Sequence, residues 1–156
     1  MGWLEPLFRA GMRRLILVAT LESLGMVLFS LLGAEVVGLA LGIELVLLRP
    51  GGLRENRRVY GALSWVTNIG RSIPFVILMV AIMPLTKLIT GTSIGTIAAI
   101  VPLTVSAIPF VARLTETAML GVEPGVIEAC ISMGATWWQI VRYVLVPESL
   151  PSLIAG

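Results

Sequence analysis

The sequence has no histidine, no aspartate, one lysine (Lys87) and one cysteine (Cys130) in 156 residues. Each absence removes a class of chemistry. Without histidine and aspartate there is no Ser-His-Asp site, no imidazole acid–base catalysis and no histidine-ligated metal. A lone cysteine makes neither an internal disulfide nor a Cys-pair metal site. Leu88 follows the only lysine, so a phosphate-binding loop of the form G-x-x-x-x-G-K-[ST] is impossible. The chain does not hold ATP that way. A formal net charge of +2 gives no case for nucleic-acid binding. Glu22, Glu35, Glu44 and Glu116 are the only acid–base groups open to a membrane enzyme, and no nucleophile–base pair accompanies them.

What is abundant is apolar surface. Hydrophobic residues make up 57% of the chain, and charged residues 13%, about half the usual share. A soluble domain of this size has too little interior to hide so much. The composition therefore predicts an all-α membrane protein.

A helical span needs about 20 largely apolar residues. Residues 88–112 carry no charge, residues 59–86 carry only Arg71, and residues 15–48 are interrupted only by Glu22, Glu35 and Glu44. The last run is too long for one simple span. It reads as an N-terminal interfacial segment, residues 1–21, followed by a span over 24–48. Spans over 59–86 and 88–112 follow, then a loop over 120–142. Residues 143–156 start a further span. Three full transmembrane helices and the beginning of a fourth make a polytopic bundle. A signal peptide after Arg13 and Arg14 is disfavoured: its apolar core would be short, with no clear small-residue cleavage site.

Arginine and lysine set the orientation. Arg49, Arg54, Arg57, Arg58, Arg113 and Arg142 flank one side; Arg9, Arg13, Arg14 and Lys87 lie on the other. That balance favours an outside N-terminus, with the Arg-bearing connections in the cytoplasm.

Polar groups within spans are functional hypotheses by default. Glu35 shares a helical face with Gly38 and Gly42. It reads either as a pathway carboxylate or as a hydrogen-bonded side chain against a packed neighbour. Gly38 and Gly42 form a small-x-x-x-small step that admits a second helix closely. Glu44, near the end of the span, can snorkel towards Arg49. Pro74, Pro84, Pro102 and Pro109 interrupt the later spans, with Gly91, Gly95 and the hydroxyls of Thr90, Thr92, Ser93, Thr96, Thr104 and Ser106 around them. This pattern suits a kinked pathway helix, or close packing with hydroxyls bonded to their own helix.

The loop over residues 120–142 carries the most information. Pro124 suits a first helical position, and Glu128 is close enough to favour the positive end of that helix. Val126, Cys130 and Met133 form an apolar stripe that Ile127 and Ile131 broaden. Gly134 is the natural stop. Thr136, with Gln139 three residues on, is a capping-box pattern for a second short helix. Two helices at a glycine elbow, with small Ala129 and Ala135 beside the stripe, offer a surface to a partner's groove. The competing reading is an amphipathic loop on lipid headgroups, anchored by Trp137 and Trp138.

The run IEACISMGATWWQIVRYVLVPESLP, residues 127–151, resembles the cytoplasmic loop of ABC-importer permeases. That loop reads E-A-A, three residues, Gly, nine residues, an aliphatic, one residue, then an aliphatic–Pro pair. Glu128, Ala129, Gly134, Val144, Val146 and Pro147 occupy the matching places, and Cys130 replaces the second alanine. The upstream stretch RSIPFVILMVAIMPLTKLITGTSIGTIAAIVPLTVSAIPFVARLTETA, residues 71–118, is similar to the methionine-uptake branch of those permeases.

The resemblance implies a type I ABC importer permease in a bacterial cytoplasmic (inner) membrane, for methionine (D/L) or a closely related amino acid. It implies a homodimer with a second copy of the permease and two copies of an ABC ATPase subunit. An extracytoplasmic substrate-binding lipoprotein would deliver the substrate. No cofactor is expected on this chain; ATP-Mg would bind the partner ATPase. Glu128, Ala129, Cys130, Gly134, Ala135 and Pro147 would form the ATPase-coupling loop. The sequence departs from the pattern at Glu35 and Glu44, normally apolar, and at Gly121, where an acidic residue is common. The family also continues beyond the segment that starts at Tyr143, so the chain reads as about two helices short of a working permease. The alternatives are a non-transporting membrane protein or inactive truncated remnant, and a permease for another small amino acid.

Overall fold

Over residues 10–155, which the computed structural model of the chain describes, the backbone forms seven α-helices and no strand. They are α1 (Ala10–Leu48), α2 (Arg57–Ser72), α3 (Phe75–Thr90), α4 (Thr96–Leu120), α5 (Pro124–Ser132), α6 (Trp137–Ile140) and α7 (Val146–Ala155), with a π-helical turn over Val141–Leu145 between the last two. Arg9, counted above for orientation, lies outside the described residues, as do the rest of residues 1–8 and Gly156.

α1 differs from expectation. Its 39 residues run unbroken, with no interruption between Leu21 and Leu24. At 1.5 Å per residue it is about 58 Å long, nearly twice a bilayer's hydrocarbon thickness. No proline interrupts it. The hydroxyls of Thr20 and Ser23 donate to the carbonyls of Ile16 and Ala19 one turn back, both at 2.8 Å, so the helix itself satisfies these two hydroxyls.

The segment over residues 59–86 is also not one straight span. The chain turns by 112° between α2 and α3. Ile73 is extended (φ −76°, ψ 123°), as a residue before proline is driven to be, and Pro74 caps α3 without an amide hydrogen to lose. The next helix begins later than expected, at Thr96, because Gly91 (φ +75°) ends α3 and Gly95 (φ +115°) precedes α4. Pro102 and Pro109 lie inside α4 without ending it. Two described helices, α1 and α4, are long and apolar enough to cross a membrane, and the bent α2–α3 pair counts as a third only if taken together.

α1 and α4 form the main contact of the molecule. Gly33 faces Thr104, Gly38 faces Val111, and Gly42 faces Thr115, so the two helices run side by side in the same direction. Both therefore end on the same side of the fold. There Val46, Leu47, Met119, Val122, Ile140, Val141 and Leu145 build a buried apolar cluster. Elsewhere large apolar side chains stay uncovered, among them Leu15, Leu21, Phe29 and Val36 on α1 and Val76 and Leu88 on α3. Such continuous exposure suits lipid or a partner, not water.

Candidate functional site

Beyond the ends of α1 and α4 the chain makes the helical elbow. Pro124 is the first residue of α5, where its missing amide hydrogen costs nothing. α5 ends at Ser132, and Gly134 takes φ +81°, a left-handed turn that a side chain would strain. Its amide donates to Ile131 O at 2.9 Å, and Ala135 N donates to Cys130 O at 3.0 Å, closing the helix end. Thr136 then caps α6: Gln139 N donates to its hydroxyl at 3.4 Å, and Thr136 N donates to Gln139 Oε1 at 2.8 Å. A strict turn thus separates two helices.

The elbow divides its apolar residues between two faces. Ile127, Cys130 and Ala135 pack against the buried cluster, while Val126, Ile131 and Met133 are exposed, Met133 at 78%. Glu128, Ala129 and Gly134 are exposed. The single stripe expected from the sequence is therefore split: its Cys130 edge anchors the elbow and its Met133 edge is uncovered. Pro147, also exposed, follows the π-helical turn, whose wider register brings Val146 N onto Val141 O. The Arg54 guanidinium lies 4.9 Å from the Trp137 ring centroid, tying the first connection to α6. In that connection Gly51 N donates to Glu55 Oε2 at 3.0 Å, and Arg57 pairs with the same carboxylate. Both hold the Glu55 carboxyl below the usual carboxylate range, the Gly51 amide most strongly.

The remaining sequence candidates are spread along the helices. Gly38 and Gly42 are buried in the α1–α4 contact; Gly91 and Gly95 bound the α3–α4 turn; Pro74 stands at the bend. Pro102 is buried in α4, and Pro109 lies against Gly70 of α2. Glu35 and Glu44 are half-buried on α1, and the Glu35 carboxylate has no hydrogen-bond partner among the described residues. Thr86, Thr90, Thr104 and Ser106 donate to carbonyls three or four residues back in their own helices, so those hydroxyls serve the backbone. Thr96 instead reaches Glu22 of α1 at 3.3 Å.

One constellation was not anticipated. Glu116 on α4 is 4% exposed and pairs with Arg113 one turn earlier. Its other oxygen accepts the Tyr60 hydroxyl at 3.1 Å. Arg113 also donates to the Ser64 carbonyl at 3.1 Å, to the Ser64 hydroxyl, and to Asn68 Oδ1 at 3.0 Å. The R-x-x-E spacing was its signal in the sequence, since residues three apart on a helix are neighbours.

The similarities to known proteins agree with this architecture. A family model described as "binding-protein-dependent transport system inner membrane component" matches residues 49–156. The probable D-methionine transport system permease protein MetI of Vibrio cholerae serotype O1 is 54% identical over 140 residues, covering 90% of this chain and 62% of that protein. The D-methionine transport system permease protein MetI of Escherichia coli (strain K12) is 51% identical, covering 85% and 61%. This chain thus spans about three-fifths of the length of these curated relatives. Among solved structures, the native crystal form titled "Inward facing conformations of the MetNI methionine ABC transporter" superposes with a TM-score of 0.92 at 47% identity, covering 95% of this chain and 68% of that one. A helical fold shared at that identity, together with a family match over more than half the sequence, is decisive: the chain belongs to the family of binding-protein-dependent transport system inner membrane components.

Proposed function

We propose that this chain belongs to the permease subunit of an ATP-driven ABC importer for methionine (D/L) or a closely related amino acid. The observation that carries the reading is the elbow itself. Glu128 and Gly134 stand exposed beyond the common end of α1 and α4, on a rigid turn anchored through Ile127 and Cys130. A chain without an ATP-binding loop that presents such a knob requires an energy-supplying partner.

In this reading the membrane is the bacterial inner membrane, the N-terminus is outside and the elbow is cytoplasmic. Two ABC ATPase subunits bind ATP-Mg, a second permease copy completes the pathway, and an extracytoplasmic lipoprotein delivers the substrate. The Glu128 carboxylate, on the second turn of α5 rather than at its start, accepts hydrogen bonds from the ATPase. Glu128, Ala129, Cys130, Gly134, Ala135 and Pro147 form the coupling loop. Closure of the ATPase dimer pulls on α5, and the buried cluster transmits that motion to α1 and α4. The transporter then behaves as a two-state element biased by nucleotide.

The test is co-expression with the ABC ATPase subunit of a methionine importer. Glu128→Lys and Gly134→Asp should insert normally but lose ATPase co-purification or substrate-stimulated ATP turnover. Normal values of both in both variants would overturn the assignment.

A further inference from the structure

Arg71 lies in the last turn of α2, just before the bend. Its neighbour Gly70 packs on the Pro109 ring, where an added Cβ would come within 2.6 Å of Pro109 Cγ. Pro109 is close to the middle of α4, whose 25 residues measure about 37 Å. Wherever a hydrocarbon layer of about 30 Å is laid along that length, Pro109 stays roughly 10 Å inside it. Arg71 is exposed at that level, with no hydrogen-bond or ion-pair partner among the described residues.

Lipid does not suit a guanidinium at that depth, so an unpaired one there faces a water-filled space or a ligand. The backbone points the same way independently. Ile73 and Pro74 leave the helical path at this level and are exposed. Irregular backbone within a membrane is tolerated only against protein or water. Asn68, one turn before Arg71, is also exposed, and its Oδ1 accepts from Arg113 at 3.0 Å. What Asn68 has left to offer is its amide donors. The two side chains therefore present donors alone, and uncovered Ile69, Ile73 and Phe75 surround them. Their complement is an anion with an apolar body, and the planar guanidinium matches a carboxylate through two parallel hydrogen bonds.

We propose that Arg71 is a substrate-binding residue of the translocation pathway. It takes the carboxylate of the transported amino acid at the α2–α3 bend, and Asn68 Nδ2 is the second donor. The amino acid's apolar side chain lies along Ile73 and Phe75. Arg113 acts at one remove: by holding Asn68 Oδ1 it turns the amide donors towards the ligand. The inference rests on the amino-acid importer reading above and names the group that handles the substrate within the membrane.

The test places Ser72→Cys beside Arg71 in the permease–ATPase complex, reconstituted in lipid nanodiscs. A charged thiol reagent that reacts only in water is added, and its label is read at residue 72, so that Cys130 does not contribute. Residue 72 should label. Methionine should slow the labelling, whereas methioninol, which lacks the carboxylate, should not. Adding Arg71→Gln should weaken the protection by methionine about tenfold, the scale of one charge-assisted hydrogen bond, and Arg71→Lys should weaken it less. Asn68→Asp keeps an oxygen for Arg113 but replaces the donors with a negative charge, and should also weaken protection. No labelling at residue 72, equal protection by the two compounds, or protection unchanged in both Arg71→Gln and Asn68→Asp would overturn the proposal. So would a lower melting temperature in Arg71→Gln with protection intact, which would make Arg71 a structural pairing residue. The importer reading has a separate readout, ATPase co-purification with the unsubstituted chain, so the two failures are told apart.

Discussion

The Tyr60 hydroxyl of α2 donates to the Glu116 carboxylate of α4 at 3.1 Å, joining residues 56 positions apart in the chain. The second carboxylate oxygen holds Arg113, and Arg113 returns to α2 at Ser64 and Asn68. Tyr60, Ser64 and Asn68 are spaced by four, so they form one face of α2, and two residues of α4 grip two turns of it. This clamp fixes α2, the half of the bent pair next to the elbow. α3 diverges from it at 112° beyond Pro74.

The clamp predicts a non-additive mutational response. Removing one partner from a buried ion pair strands the other charge, which typically costs about 3–5 kcal/mol, whereas replacing both with apolar residues of similar volume is often neutral. Glu116→Leu and Arg113→Met should each lower the detergent melting temperature sharply. The double variant should recover most of the loss. Additive losses in this cycle would show that the two side chains act independently.

The α1–α4 contact predicts a size limit. A Cβ on Gly42 would come within 2.7 Å of Ala112 O and closer still to Thr115 Cβ; on Gly25 it would meet nothing within 4 Å. Gly42→Val should cost about 1–3 kcal/mol by overpacking. Gly25→Val should cost far less. Thermal unfolding in one detergent compares them directly, and equal losses would mean that the close approach is not what stabilises the pair.

These two contacts show what the sequence made legible. Gly38 and Gly42 announce a close helix neighbour because a small-residue step has few other uses in lipid. They do not say which helix, and only the fold identifies α4. The elbow was legible almost residue by residue, since Pro124, Gly134, Thr136 and Gln139 each act locally through backbone geometry. The clamp was not, because Tyr60, Ser64 and Asn68 carry no charge and their meaning arises only when α2 meets α4. The bend had a local cause in Pro74. However, Pro84, Pro102 and Pro109 have the same side chain and leave their helices continuous, so proline alone did not separate a break from a tolerated kink. Residues 15–48 read as an interfacial segment and a span because the run is longer than one span needs, whereas α1 continues unbroken through Glu22 and Ser23, whose hydroxyl bonds backwards within the helix.

The first connection predicts an acid-sensitive turn. Gly51 N–H, and secondly Arg57, lower the Glu55 pKa in the folded state. A depressed carboxyl contributes stability above its unfolded pKa and loses it as pH falls through the folded value. Backbone exchange over residues 49–56 should therefore accelerate, relative to α4, as pH drops below the ordinary carboxylate range. Glu55→Gln should exchange at the faster limit throughout, after correction for intrinsic rates. An unchanged profile in wild type would mean that the turn does not depend on the ionised carboxylate.

Gly134 predicts a conformational cost separable from a contact cost. Its φ of +81° disfavours any side chain, yet a Cβ there would touch nothing within 4 Å. Within this protomer, substitution strains only the backbone, by about 1–2 kcal/mol for an ordinary residue and less for asparagine, which tolerates the left-handed region. Gly134→Asn should therefore destabilise less than Gly134→Ala, and Gly134→Val most, in thermal unfolding of the protein without its ATPase. The proposed docking of an ATPase on the elbow would add a second requirement, small size, which would rank the same variants differently. Alanine then couples better than asparagine, although it strains the turn more. Measuring melting temperature and ATPase co-purification on these variants separates the two demands. If both measurements gave the same order, the glycine would be needed for the turn alone.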